Sequence, residues 1–246
     1  KCALQHDGPF STRYPRDNER PPEDSSFYMQ LYRHVLGTPT EQDTYEIGRD
    51  FPKIGEIWVE TTPDGLALVS MQKGDGGEFE HHVRSLDGRW QQLTHYEDRV
   101  VQLTPGRATG GATTLYLLSR KDAPRGKLLT LSFHHRNGAA FSQATVLLPE
   151  TSDTLVSEFY KKPGNLVPTD GRLYVTYQLG GPSEVRVFDL EGNPIVGSGE
   201  DRKWVIDEDI FIYNSGAAAA ELAPGRRPRG SLFAGNEIHE VHAGAY

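Results

Sequence analysis

Short apolar runs alternate with polar residues, broken by glycine-bearing turns, and the pattern recurs in units of about fifty residues. This rhythm constrains the fold more than any other feature of the chain. Leu173, Val175 and Tyr177 alternate with Tyr174, Thr176 and Gln178, and Val185 and Val187 follow after the turn Gly180-Gly181-Pro182-Ser183. Two period-2 runs joined by such a turn read as a hairpin. The same reading covers Ile57 and Val59, Leu66 and Leu68 after Pro63-Asp64-Gly65, Leu115 and Leu117 after Gly110-Gly111, and Leu129, Leu131 and Phe133 after Arg125-Gly126. Outer hairpins are expected at His81 to Leu93, around Asp87-Gly88, and at Val187 to Val196, around Glu191-Gly192. Phe27, Leu31 and Val35 sit four apart, as a helix requires, but the aromatics and the Pro- and Gly-bearing flanks favour a strand. The class is all-β.

Turn-then-strand units open near Asp7-Gly8, Asp64-Gly65, Gly110-Gly111, Asp170-Gly171 and Glu208-Asp209. Repeats of about 40 to 50 residues with four strands each mark a β-propeller. The expected architecture is therefore four-stranded antiparallel blades, about five of them or part of a seven-bladed ring. A β-sandwich is the alternative, but it lacks the higher repeat, and 246 residues is long for one. No linker divides the chain, so residues 1–246 read as one propeller domain or propeller fragment. Pro15 to Ser26, rich in proline and charge, reads as a long insertion between strands of the first unit. From Gly216 to Tyr246 the strand signal weakens.

Composition narrows the function. Lys plus Arg number 26 against 34 Asp plus Glu, a net charge of −8, which argues against a nucleic-acid partner. The one dense basic cluster, Arg226, Arg227 and Arg229, lies in a Pro/Gly-rich stretch. A single cysteine, Cys2, rules out an internal disulfide and a thiolate zinc cage, and leaves the compartment unconstrained with a lean towards a reducing cytosol. No run of about 18 apolar residues is present, so no membrane span is expected. Lys1 to Asp7 lacks the apolar core of a signal peptide, and the absence of an initiator Met is compatible with a processed chain or a fragment.

The sequence displays no active site of its own. A serine hydrolase places its nucleophile in a G-x-S-x-G elbow, and neither Ser198 nor Ser215 has that spacing. Gly74-Asp75-Gly76-Gly77 leads into Glu78-Phe79 and reads as a hairpin loop, not a phosphate cradle. His81-His82 and His134-His135 are adjacent pairs whose members point to opposite strand faces, so each offers at most one ligand to a common site. His239 and His242, with Glu237 nearby, are spaced three apart, whereas the zincin helix needs four. Asp189, Glu191, Asn193 and Glu200 fall at calcium-loop positions, but Pro194 stands where that loop needs glycine, so a turn is expected. No cofactor and no metal are expected.

Phe27-Tyr28-Met29-Gln30-Leu31-Tyr32-Arg33-His34-Val35-Leu36-Gly37-Thr38 resembles a propeller strand of the prolyl oligopeptidase family, which there follows a long polar loop. His6 to Pro15 resembles the strand before that loop, and Thr62-Pro63-Asp64-Gly65 the opening of the next blade. Leu147-Leu148-Pro149-Glu150 and Ser183 to Gly192 are similar to later family segments. The match runs from residue 1 to about 196; residues 197–246 diverge. The resemblance implies the propeller of a serine peptidase that cuts short peptides after proline, capping an α/β-hydrolase domain whose Ser-Asp-His triad has no counterpart here. It implies that Phe10 lines the substrate cavity; Gln72 to Gly77 falls where other cavity residues lie, with a different sequence. Whether this chain is itself an enzyme stays open. The alternatives are a free-standing small propeller that binds a ligand or protein, and a metal-dependent hydrolase built on His239 and His242.

Overall fold

A computed structural model describes residues 10–157, 164–181 and 183–195, and the backbone of four short strands beyond them. The first sheet pairs β1 (Phe10–Arg13), β2 (Gln30–Arg33) and β3 (Thr44–Ile47) in that order. The second is β4 (Gly55–Thr61), β5 (Ala67–Lys73), β6 (Phe79–Arg84) and β7 (Trp90–Thr94), a four-stranded antiparallel meander. The third repeats it with β8 (Val100–Thr109), β9 (Ala112–Ser119), β10 (Lys127–His134) and β11 (Thr145–Leu148). In the fourth, β12 (Thr154–Leu155) and β13 (Leu166–Pro168) both pair with β14 (Leu173–Gln178), followed by β15 (Ser183–Phe188), β16 (Trp204–Ile206) and β17 (Ile212–Asn214). β18 (Phe233–Ala234) and β19 (Glu237–Ile238) form a separate pair. These are blades, and the period-2 hairpins of the sequence are their inner strands.

The blades stack face to face, which is why their middle strands are apolar on both sides. Ala67, Val69 and Met71 of β5 meet Phe10, Leu31, Phe51 and Ile57 in the joint between the first and second blades. Leu68 of β5, with Val83 and Leu93, faces the other way and packs on Leu103, Leu115, Leu117, Leu131 and Phe133 of the third. Tyr116 and Leu118, the alternate residues of β9, pack with Leu128 against Leu155, Leu166, Leu173, Val175 and Tyr177 of the fourth. Each Val, Leu, Ile, Phe or Met side chain so enclosed contributes about 1.5–3 kcal/mol through apolar burial. One sheet in a sandwich would keep a solvated face; a blade between two neighbours does not.

Two local features make the close approach feasible. Gly106 in β8 lies under the Tyr116 ring, where an added Cβ would come to 2.6 Å from the ring edge. Pro105, which lacks an N–H, sits in the same strand at a register shift, as suits an edge strand. β13 lies against β8, so the first strands of consecutive blades approach one another.

Strand direction sorts the loops onto two rims. The hairpin rim carries 62–66, 85–89, 110–111 and 135–144; there Leu86 N–H donates to the His135 carbonyl at 3.2 Å and His135 N–H to Gly111 at 3.0 Å. The crossover rim carries the chain from blade to blade; there Gly74 N–H donates to Ile54 at 3.0 Å and Leu155 N–H to Arg125 at 2.8 Å. The long insertion leaves β1 on the crossover rim and is tied to the next connection by Tyr28 N–H on the Lys53 carbonyl at 2.9 Å. Arg16, within it, reaches the Thr40 carbonyl.

Two sequence expectations change in detail. The strand expected at Phe27 to Leu36 shrinks to Gln30–Arg33, because Tyr28 takes a left-handed φ of 55° and Val35 to Thr38 close a turn. The outer hairpin expected at Val187 to Val196 is a short one, held by the Phe188–Pro194 bridge and by Asp189 N–H on Asn193 and Ile195 N–H on Val187, both at 2.9 Å, while the other end of β15 pairs with β16, Trp204–Ile206.

Candidate functional site

Each joint between blades pairs its aliphatic core with a polar latch. In the first joint, Glu46 of β3 reaches across to the second blade. It accepts from Arg84 Nε and Trp90 Nε1, both at 2.9 Å, with Arg33 of its own sheet at 3.8 Å. The Glu46 side chain is 9% exposed, so removing a partner would strand a nearly buried carboxylate, at more cost than breaking a surface ion pair. Trp90 also sets its ring edge-on to Phe10 at 6.4 Å, and the Arg84 guanidinium lies 6.0 Å from the Phe10 centroid.

The second joint is latched on the hairpin rim. Asp64, in the turn after β4, accepts from the Thr113 hydroxyl at 2.6 Å and lies 2.8 Å from His135 Nε2 on the third blade. His135 and Thr113 are themselves 2.9 Å apart. Burial alone would raise the Asp64 carboxyl; hydrogen bonds from Thr113, Thr62 and its own backbone, with the His135 charge, outweigh it and hold it below the usual range. The three residues carry hydroxyl, imidazole and carboxylate, the groups of a hydrolytic triad. They are wired otherwise: the hydroxyl is fully buried and donates to the carboxylate, so it is held as a tie.

Amides close the third joint. Asn165 Nδ2 donates to Gln102 Oε1 at 2.9 Å, Gln102 Nε2 returns to Asn165 Oδ1 at 3.3 Å, and Asn165 also caps the Val156 carbonyl. Arg120 donates to the Leu155 carbonyl at 2.7 Å. Arg186, stacked 4.3 Å over Tyr177, binds Glu184 at 2.9 Å and Asp153.

Phe10, expected at a substrate cavity, is 7% exposed and sits among Leu31, Val69 and Met71. It lies at the hairpin-rim end of β1, opposite Arg33, whereas the 74–78 turn lies at the crossover end of its blade, opposite Gly55. The two sets of expected cavity residues thus sit on opposite rims. His81 and His82 do point to opposite faces: His82 pairs with Glu80 at 3.1 Å and tilts against Phe51, while His81 faces the second joint. Asp189 closes a turn by accepting from the Glu191 and Asn193 N–H groups at 3.1 and 2.7 Å. Ser198, Ser215, His239 and His242 lie outside the described residues. Among the described residues, no group of three His, Cys, Asp or Glu could hold a metal ion. No helix there is long and apolar enough to cross a membrane.

Sequence reasoning missed the latches. Glu46 and Gln102 lie in strands where a polar residue reads as solvent-facing, and Asp64 read only as a turn former. A carboxylate in the Thr62-Pro63-Asp64-Gly65 turn was the one local signal of an anchored rim.

The family model for the prolyl oligopeptidase N-terminal β-propeller domain matches residues 4–211. The chain belongs to this family. Its blades superpose on a prolyl endopeptidase, from a structural study of inter-domain dynamics in catalysis and specificity, with TM-score 0.59 and 21% identity over 79% of this chain and 27% of that one. Prolyl oligopeptidase B from Galerina marginata, bound to a 35mer hydrolysis and macrocyclization substrate, gives 0.56 and 14% over 79% of this chain and 26% of that one. Oligopeptidase B from Leishmania major gives 0.54 and 16% over 83% and 27%. At such identities the likeness is one of fold, and this prolyl oligopeptidase propeller spans about a quarter of those chains. No curated protein matches the chain. What its described residues offer chemically is a braced wall of blades with anchored rims.

Proposed function

We propose that this chain is the propeller portion of a prolyl-oligopeptidase-like serine peptidase, gating access for short peptides cut after proline and contributing no catalytic group. The observation that carries this reading is the match of the family's propeller model to residues 4–211. The latched joints support it, because a wall that excludes large substrates must keep its blades together. The triad would come from an α/β-hydrolase domain beyond these residues, and the lone cysteine suits a reducing cytosolic setting.

The chain alone, treated with a fluorophosphonate serine-hydrolase probe while a fluorogenic Gly-Pro peptide is assayed, is expected to show neither labelling nor turnover. Stoichiometric labelling with turnover would place a nucleophile inside this chain and end the reading.

A further inference from the structure

His81 is the buried titratable group for which the gating reading has no use. It is 0% exposed, on the β6 face that carries Val83 into the joint with the third blade. Its Nδ1 lies 2.8 Å from Thr94 Oγ1, an oxygen that also accepts the His81 backbone N–H at 3.1 Å. Phe79 stacks beside it at 6.4 Å. Its Nε2 has no hydrogen-bond partner among the described residues. Whichever nitrogen carries the proton in the neutral ring, one ring nitrogen is left unpaired in the core.

We propose that His81 makes the joint between the second and third blades acid-labile, so that protonation of this ring loosens the contact of β5, β6 and β7 with β8, β9 and β10. A second ring N–H would appear where no acceptor stands, and a positive charge where no carboxylate offsets it. The facing strands supply none. β5 places Ser70 opposite, β7 places Thr94, and the one ionisable side chain of β8, Arg107, pairs with Asp170 at 3.8 Å. β9 and β10 carry Tyr116, Lys127 and His134 but no carboxylate, and Asp64 is engaged by Thr113 and His135 on the hairpin rim. On β6 itself Glu80 is engaged by His82 on the other face, and His82 adds repulsion. Burial first, and His82 second, push the His81 imidazole down to about 3. A folded-state value below the unfolded one means stability that is complete above about pH 6.5 and drains away as the pH falls towards 3.

The test is hydrogen exchange, corrected for intrinsic rates, on the full-length protein at pH 7 and pH 5, with His81→Gln and His81→Phe alongside. The glutamine keeps a partner for Thr94 and the phenylalanine keeps the ring volume. Where exchange in the second joint proceeds by its opening, wild type is expected to lose about 20-fold in protection over 66–68, 93–103 and 113–117. Either folded variant should lose markedly less there, with the other joints unchanged. Equal losses in wild type and variants, or a loss spread over all joints, would overturn the proposal.

Discussion

Glu46, Asp64 and Asn165 each do at the scale of one residue what a covalent closure would do for a ring: they tie one blade to the next at a defined height. Their partners differ in chemistry, a guanidinium and an indole, an imidazole and a hydroxyl, and an amide. Aliphatic contact alone tolerates sliding, whereas a hydrogen bond with one good geometry does not. Phe10 packs in the first of these joints. Phe10→Leu is expected to cost about 1–3 kcal/mol of stability in urea unfolding, by opening a gap beside Trp90 and Val69. If the full-length protein is the peptidase proposed, the variant's KM for a Gly-Pro peptide should stay at the wild-type value. A raised KM with unchanged stability would place Phe10 in the substrate cavity, as the family resemblance implies.

At the scale of the element, the middle strands hold the molecule. Leu117 of β9 is 0% exposed between the second and third blades, while Leu36, in the β2–β3 turn, is 86% exposed. Leu117→Ala should therefore cost about 2–5 kcal/mol and Leu36→Ala about zero, read from the same unfolding curves. A similar cost at both sites would mean that the joint is not packed as described. The sequence made much of this legible. Leu173 to Phe188 showed its hairpin, and the spacing from Asp64 to Gly110 showed the blade repeat, because period-2 runs and glycine turns are local signals. What stayed hidden is non-local. Phe10 was singled out by family resemblance alone, and no local pattern shows that its ring packs edge-on against Trp90, eighty residues on. Asp64 looked like any turn aspartate until the fold brought Thr113 and His135 to it. The extent of β2 depended on the left-handed Tyr28, which no alternation reveals.

At the scale of the whole molecule, sheets that stack face to face must either close on themselves or meet something else at their outer flanks. This chain covers about a quarter of the solved relatives, and the hydrolase domain proposed to complete the peptidase lies outside it. On the gating reading proposed above, a braced propeller would limit substrates by size, since a folded protein cannot pass where an extended peptide can. The direct test compares the full-length protein's cleavage of a short fluorogenic Gly-Pro peptide with its cleavage of a folded protein that displays the same sequence on an exposed loop. Turnover of the peptide with the folded protein left intact is the predicted result. Equal cleavage of both would contradict the account, because a propeller that admits a folded protein gates nothing.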